Sequence, residues 1–378
     1  MPEFMQLMES WNGFVPIREK RVKESEAAAF LDLIHNTGRM APHRHEFMVK
    51  EAITTDSFPY LFGFTLEREM LARYRATTAP WRSYCAVGTL PNFNQGEMHK
   101  LQGNDTFLPL VPEKGEYYVS PVSHGRYYRR VYKRGRQFDI SWEATVNDIL
   151  GAFDDVPQRF ADAVVYTRAY NVTDLYASAA GPDALMFGVA LADTADGQLI
   201  TNLGALQLTI ANVETTTGLM AMQTDINGRP LGIRGAHLVV PPALEFTARA
   251  ILTSALKQWT EVGAGAGIPV PTVNVIPQMG LQLHVDPLLP VIDLSGNRNG
   301  TWYLFADPSQ GKAMQMDFLR GYEDPEICMK ASDKVSVTGE ALSPFSGDFG
   351  TDNIFYRVRD VHGGCRLDRR YAYAQVSA

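Results

Sequence analysis

The sequence predicts an α+β protein with one long helix, many short strands and no internal repeat. Three observations carry this. Ala161, Val165, Ala169, Val172 and Tyr176 recur at helical spacing, as one stripe. Short runs rich in Val, Tyr, Phe and Ile, bounded by Gly, Pro, Asn or Asp, return through much of the chain. The composition is that of a packed protein: 378 residues, 45% hydrophobic and 20% charged. Such a chain is neither wholly disordered nor collagen-like, and it is long enough for two or three domains.

The first 80 residues read as short helices joined by polar stretches. Ser25–His35 is one helix, with Phe30, Leu31 and Ile34 on one face. Thr65 caps a second, in which Leu66, Met70 and Tyr74 recur every four residues. This looks like an arm that packs on something else. From 82 to 142 tyrosines, valines and turn residues predict extended strands. Seven cations (Lys114, Arg126, Arg129, Arg130, Lys133, Arg134 and Arg136) face only Glu113 and Glu116 between 113 and 136. A two-stranded excursion with so few aliphatic residues builds no core of its own. It is expected to lie across a neighbouring surface.

A short helix is expected from Asp139 or Ser141 to Leu150. Asp154, Asp155 and Pro157 mark the start of the long helix, because acids and proline suit a first turn. Gly181 and Pro182 mark its end near Ala180. About 24 residues at ~1.5 Å each span about 36 Å. Residues 183–235 mix short helices and loops. His237–Val240 reads as a strand, and Pro241 and Pro242 open a helix with Leu244, Ala248, Ile251, Ala255 and Trp259 on one side. GAGAGIPVPT is a Gly/Pro loop. GLQLHVDP, TWYLFADP, AMQMDFLRG and EICMKAS read as strands, and so does IFYRVRDVHGG, where Ile354, Tyr356 and Val358 alternate.

Catalytic and cofactor motifs are missing from this pattern. There is no GxxxxGK[ST] and no GxSxG. The glycines at 263–267 follow a helix rather than a strand, so they do not suit a dinucleotide site. HGGC at 362–365 reads as a glycine turn after a strand. His43 and His45 form an HxH that could ligate a metal, but no third ligand is evident. Cys85, Cys328 and Cys365 are too few and too far apart for a disulfide framework, and are expected as reduced, buried or half-buried thiols. No apolar run approaches the roughly 18 residues of a membrane span, and the first residues, MPEFMQLMESWNGF, lack the features of a secretory signal. Synthesis in the cytoplasm is the expectation, with no cofactor and no membrane partner.

The net charge of −7 argues against a globally basic nucleic-acid binder. Its distribution is more telling. The basic hairpin stands beside an acidic stretch in which Glu143, Asp148, Asp154, Asp155 and Asp162 face only Arg159. Asp317, Glu323, Asp324 and Glu326 supply a second acidic surface. The favoured reading of Arg126, Arg129, Arg130, Lys133, Arg134 and Arg136 is pairing with acidic surfaces of another copy of the chain. A solvated face, or contact with nucleic acid helped by Tyr127, Tyr128 and Tyr132, are the alternatives.

Five stretches also carry a family resemblance: TVNDILGAF (145–153), HLVVPPALE (237–245), GLQLHVDP (280–287), NGTWYLFADP (299–308) and FLRGYEDPEI (318–327). With the order of elements, they resemble the major capsid proteins of tailed bacteriophages with the Hong Kong 97-type fold, and more narrowly the Mu-like major head subunits. One departure is that VALADTADG follows Asp183–Phe187 where an HGN-like stretch is expected. The resemblance implies an N-terminal arm (1–81), an extended β-hairpin loop (82–140), a peripheral domain with a long spine helix (141–235), an axial domain (236–340) and a C-terminal return to the peripheral domain (341–378). It implies a non-enzymatic subunit, built in the host cytoplasm, that assembles as hexamers and pentamers into an icosahedral virion shell around double-stranded DNA. Its partners would be further copies, a scaffold or maturation protease, a portal and decoration proteins. An encapsulin-like cellular compartment and a soluble enzyme, metal-dependent through His43 and His45, are the competing readings.

Overall fold

The structure, a computed structural model, describes residues 71, 79–102, 108, 110–117, 123–141, 150–259, 270–330, 332–334, 337 and 348–377. The expected helix at 25–35, the HxH at 43–45, the short helix before Leu150 and the glycines at 263–267 lie outside them. Of the helix expected from Thr65, Leu71 is described and is helical.

Eighteen strands are present among these residues. The first four are β1 (Ala86–Leu90), β2 (Gly96–Gln102), β3 (Ser123–Arg129) and β4 (Tyr132–Ser141). Helix α1 (Leu150–Tyr176) follows, then the short strands β5 (Ala177–Ser178), β6 (Gly181–Pro182), β7 (Leu191–Ala192), β8 (Leu199–Ile200) and β9 (Leu203–Gly204). Next come α2 (Ile210–Ala221), β10 (Gly235–Val240), α3 (Glu245–Thr253), β11 (Leu256–Trp259), β12 (Val270–Val273), β13 (Gln282–Val285) and α4 (Leu289–Ile292). The chain closes with β14 (Trp302–Ala306), β15 (Met314–Leu319), β16 (Glu326–Met329), β17 (Asn353–Arg366) and β18 (Ala372–Gln375).

Contacts divide the chain into a smaller unit, which includes 137–157 and 327–356, and a larger one of 70–136, 158–326 and 357–378. In the smaller unit Phe138 stacks on Tyr356 with ring centroids 5.0 Å apart. Asn353 donates to Asp139 at 2.9 Å, and Lys330 pairs with Asp348 at 3.1 Å.

The larger unit is organised around the sheet β13–β10–β14–β18–β9. Every residue of β14 is buried, and its side chains alternate between two cores. Tyr303 and Phe305 join Val239, Ala372 and Ala374 in one, where Val172, Leu175 and Tyr176 of α1 cover them. Trp302 and Leu304 join Leu238, Val240 and Tyr373 in the other, with Val213 and Met220 of α2 and Ala248 and Ile251 of α3. A strand buried on both faces reads as an uninterrupted apolar run rather than an alternating one, and WYLFA is such a run. Strands β1, β15 and β17 form a second sheet, β1 parallel and β17 antiparallel to β15. Met314, Met316 and Phe318 of β15 point into the α1 core.

Polar contacts tie α1 to its surroundings. Arg168, 2% exposed, clamps Asp360 of β17 through two hydrogen bonds of 2.9 and 2.6 Å and donates to the Glu323 carbonyl at 2.8 Å. His362 lies 2.9 Å from Asp360, and Asn171 reaches its other ring nitrogen at 2.7 Å. Burial raises the Asp360 pKa, but hydrogen bonds from Arg168 and His362 outweigh it and bring it down to about 2. At the end of α1, Thr173 and Tyr176 donate to Asp286 at 2.6 and 2.5 Å.

The observed boundaries correct three expectations. Helix α1 begins at Leu150, so Asp154, Asp155 and Pro157 lie inside it rather than at its start, and it ends at Tyr176, where β5 and β6 turn the chain. Pro157 costs the helix one backbone donor but does not stop it. Helix α3 ends at Thr253, and Ala255 and Trp259 fall outside it. The Asn274 side chain takes the Ile251 and Ser254 carbonyls at 2.8 and 2.9 Å, satisfying groups left open at the helix end, and β11 pairs with β12 beyond. HGGC is strand, not turn: Gly363 and Gly364 lie within β17. A Cβ on Gly363 would collide with the Arg130 carbonyl, because the link between β3 and β4 crosses there. Cys85 and Cys365 are buried free thiols and Cys328 is half-buried, as expected.

Arg168→Met removes the cation but leaves Asp360 buried. We expect a loss of about 3–5 kcal/mol, read as a lower midpoint in guanidinium unfolding. Because the Asp360 pKa is depressed, its contribution is present above the unfolded value and is lost as pH falls toward about 2. Arg168→Met is therefore expected to flatten that acid limb of the stability curve. A midpoint and acid limb equal to the parent's would contradict this role.

Candidate contact surface

The basic residues do not form one continuous hairpin. The two-stranded part is β2 with β3, in register from Gly96 opposite Arg129 to Gln102 opposite Ser123, and β4 leaves it to pair with β17. Arg126 and Arg129 therefore stand on β3, Arg130 on the link, and Lys133, Arg134 and Arg136 on β4.

Among the described residues, two of the six cations have an acidic partner within the chain. Arg126 reaches Glu97 across the hairpin at 3.3 Å, an exposed pair. Arg129 pairs at 3.1 Å with Asp317, which is 1% exposed. Asp317 was expected on an acidic surface. It is buried because every residue of β15 is, flanked by β1 and β17. On that face of β15, Gln315 also donates to Asp317 at 2.6 Å, and the Cys365 thiol stands 3.8 Å away. Burial, then the negative Asp317, pushes that thiol up to about 12. Arg129 is thus the counter-charge of a buried carboxylate. Glu326 likewise pairs with Arg359.

Arg130, Lys133, Arg134 and Arg136 remain exposed. Arg130 lies over the Tyr132 ring, 5.4 Å from its centroid. Residues 132–137 are exposed at every position although they form a strand paired with β17. A row of cations on an open strand is a charged strip suited to an acidic partner.

The middle of the hairpin is fixed by a buried ionic cluster that the sequence does not announce. Tyr127, which the nucleic-acid alternative would use for stacking, is buried and donates to Asp193 at 2.9 Å. Lys100 pairs with Asp368 at 2.5 Å and with Asp196 at 3.6 Å, and Arg370 bridges Asp196 and Asp368. A Cβ on Gly125 would strike the Ala195 backbone, so only glycine lets β3 cross there. Burial, then Asp368, raises the Asp193 pKa. Burial also acts to raise Asp196, but the hydrogen bond from Arg370 holds it below the usual range. Asp193 and Asp196 belong to VALADTADG, the stretch that stands where an HGN-like one was expected.

Apolar side chains also reach the surface. Leu256 and Val273 face each other across the β11–β12 ribbon, and both are exposed. Among the described residues no group of three or more His, Cys, Asp or Glu side chains is arranged to hold a metal, and no helix is long and apolar enough to cross a membrane.

The family described as phage capsid protein matches residues 127–375, about two thirds of the chain. No curated protein matches. The chain is similar to several solved structures. They include the capsid of a native GTA particle (13% identity, TM-score 0.49, covering 80% of this chain and 91% of that one). Others are the capsid of cyanophage P-SCSP1u (14%, 0.46, 79% and 88%) and the holo-SrpI encapsulin complex of Synechococcus elongatus PCC 7942 (9%, 0.42, 80% and 88%).

Tyr127→Phe removes the hydrogen bond to Asp193 while keeping the ring. A loss of about 1–3 kcal/mol is expected. Hydrogen exchange should quicken in β2 and β3 while β14 keeps its protection. Unchanged exchange in the hairpin would show that the cluster does not anchor it.

Proposed function

Because the chain belongs to the phage capsid protein family, we propose that it is the major head subunit of a tailed bacteriophage. Its copies assemble as hexamers and pentamers into an icosahedral shell around the double-stranded genome. The single observation behind this is the family match over 127–375, which takes in the end of β3, α1, the whole of the central sheet and the second sheet apart from β1. The five local stretches support a place in the Mu-like group with the Hong Kong 97-type fold.

On this reading 1–81 is an arm, 82–140 carries the extended loop, α1 is the spine of a peripheral domain, 236–340 is an axial domain, and 341–378 returns to the periphery. The role is structural and non-enzymatic, and the shell holds DNA without reading its sequence. Scaffold or protease, portal and decoration proteins are the further partners such a head requires. Arg130, Lys133, Arg134 and Arg136 pair with acidic side chains of an adjacent copy. Arg126 and Arg129 contribute indirectly, by holding the hairpin and β15 in place. Exposed ion pairs add little adhesion each but set orientation and partner choice.

Negative-stain microscopy of the expressed protein, with any scaffold supplied, is expected to show closed particles. Monodisperse monomers under all such conditions would overturn the assignment. Replacing Arg130, Lys133, Arg134 and Arg136 together by Ser should cut particle yield roughly tenfold or more without altering helical circular dichroism. Normal yield from that variant would remove the strip from the interface while leaving the shell reading intact.

A further inference from the structure

Strand β13 is an edge strand of the central sheet, paired only with β10 among the described strands, in parallel from Gln282 to Val285. Two histidines meet at this joint. His237 Nδ1 and His284 Nε2 are 3.1 Å apart, with ring centroids at 5.2 Å. His237 is 3% exposed. Its Nε2 has no hydrogen-bond partner and faces Asp307 at 3.9 Å. The Tyr84 ring lies 5.3 Å from the His284 ring, centroid to centroid. Asp286, two residues along from His284, is held by Thr173 and Tyr176. Phe305, opposite His237 on β14, brings no charge.

This arrangement selects one proton pattern. A proton on His237 Nε2 faces the Asp307 carboxylate, which leaves Nδ1 as a lone pair. That lone pair accepts the Nε2 proton of His284. Both rings are then neutral. A proton added to His284 Nδ1 charges a half-buried ring but keeps the contact. A proton added to His237 Nδ1 turns its acceptor into a donor that meets another donor at 3.1 Å, and the contact becomes repulsive.

We infer that the His237–His284 contact is an acid-released latch that holds the edge strand β13 on β10. Burial lowers the pKa of both rings, and the neighbouring His237 takes His284 further down, to about 4. The folded joint therefore binds fewer protons than the unfolded chain, whose histidines titrate near 6.5. Stability at the joint is full above that value and is lost as pH falls from about 6.5 toward 4. Asp307 works against this by favouring the charged form of His237, and its exposure weakens that help. The inference is independent of whether the chain builds a shell.

The test is hydrogen exchange followed by mass spectrometry on the full chain between pH 7 and pH 4.5, corrected for intrinsic rates. Protection of 282–285 should fall roughly tenfold or more, since each unit between the folded and unfolded pKa is worth about tenfold, while β14 and β18 hold theirs. His284→Gln and, separately, His237→Gln should each flatten that fall. A uniform loss across the sheet would overturn the latch. So would no loss at 282–285 in the parent chain, or an unchanged loss in both variants. The parent measurement decides the matter even where a variant fails to fold.

Discussion

The larger unit depends on one constraint: β14 has no face left for water. Its side chains feed two cores in alternation, so each neighbouring element is placed by the side of the sheet it must cover. Helix α1 closes the Tyr303–Phe305 side, and α2 with α3 closes the Trp302–Leu304 side. Each large apolar side chain buried this way contributes about 1.5–3 kcal/mol. The five consecutive buried positions of β14 make it the part of the sheet least able to tolerate a polar change. Strand β18 comes back beside β14 at the end of the chain, with Trp302 opposite Gln375.

The second sheet obeys the same rule with different chemistry. One face of β15 is apolar and joins the α1 core, while the other carries Gln315 and Asp317. A buried carboxylate needs a counter-charge, and Arg129 supplies it. That need assigns the position of the β3–β4 link. It also explains why Gly363 stands where the link crosses β17. The basic segment thus divides by physical role. The residue nearest the buried acid is spent on folding, and the residues beyond it stay in solvent.

Local pattern made much of this legible. Strands β1, β10, β13, β14, β15, β16 and β17 stand where apolar runs and turn residues placed them, and Ile354, Tyr356 and Val358 are buried in alternation. Boundaries were less legible because two signals misled. Asp154, Asp155 and Pro157 look like a first turn, yet the helix is already under way. Ala255 and Trp259 continue a helical spacing, but Asn274 takes the carbonyls that another turn would use. The contact surface was legible as a charge excess, not as a geometry. Arg129 and Arg130 are adjacent and chemically alike. Only the position of Asp317, 188 residues away, separates their roles. The Tyr127–Asp193 and His237–His284 contacts are likewise long-range, and no spacing rule connects their partners.

The net charge of −7 therefore describes this protein poorly. Counted by location, several opposite charges are already paired inside the chain: Arg168 with Asp360, Arg129 with Asp317, and Lys100 and Arg370 with Asp196 and Asp368. Among the described residues, the cations on and beside β4 form an exposed strip without an ion-pair partner in the chain. On the proposed reading its cations face water until another copy arrives, and solvent screening keeps each pair weak. Weak pairs cannot supply the adhesion of a shell, so exposed apolar pairs such as Leu256 and Val273 are better suited to that part. The strip is suited to register instead, because a displaced neighbour would leave like charges opposed. A repeated assembly gains from this division: contacts weak enough to be corrected while subunits are still being placed, and apolar burial that accumulates once they are.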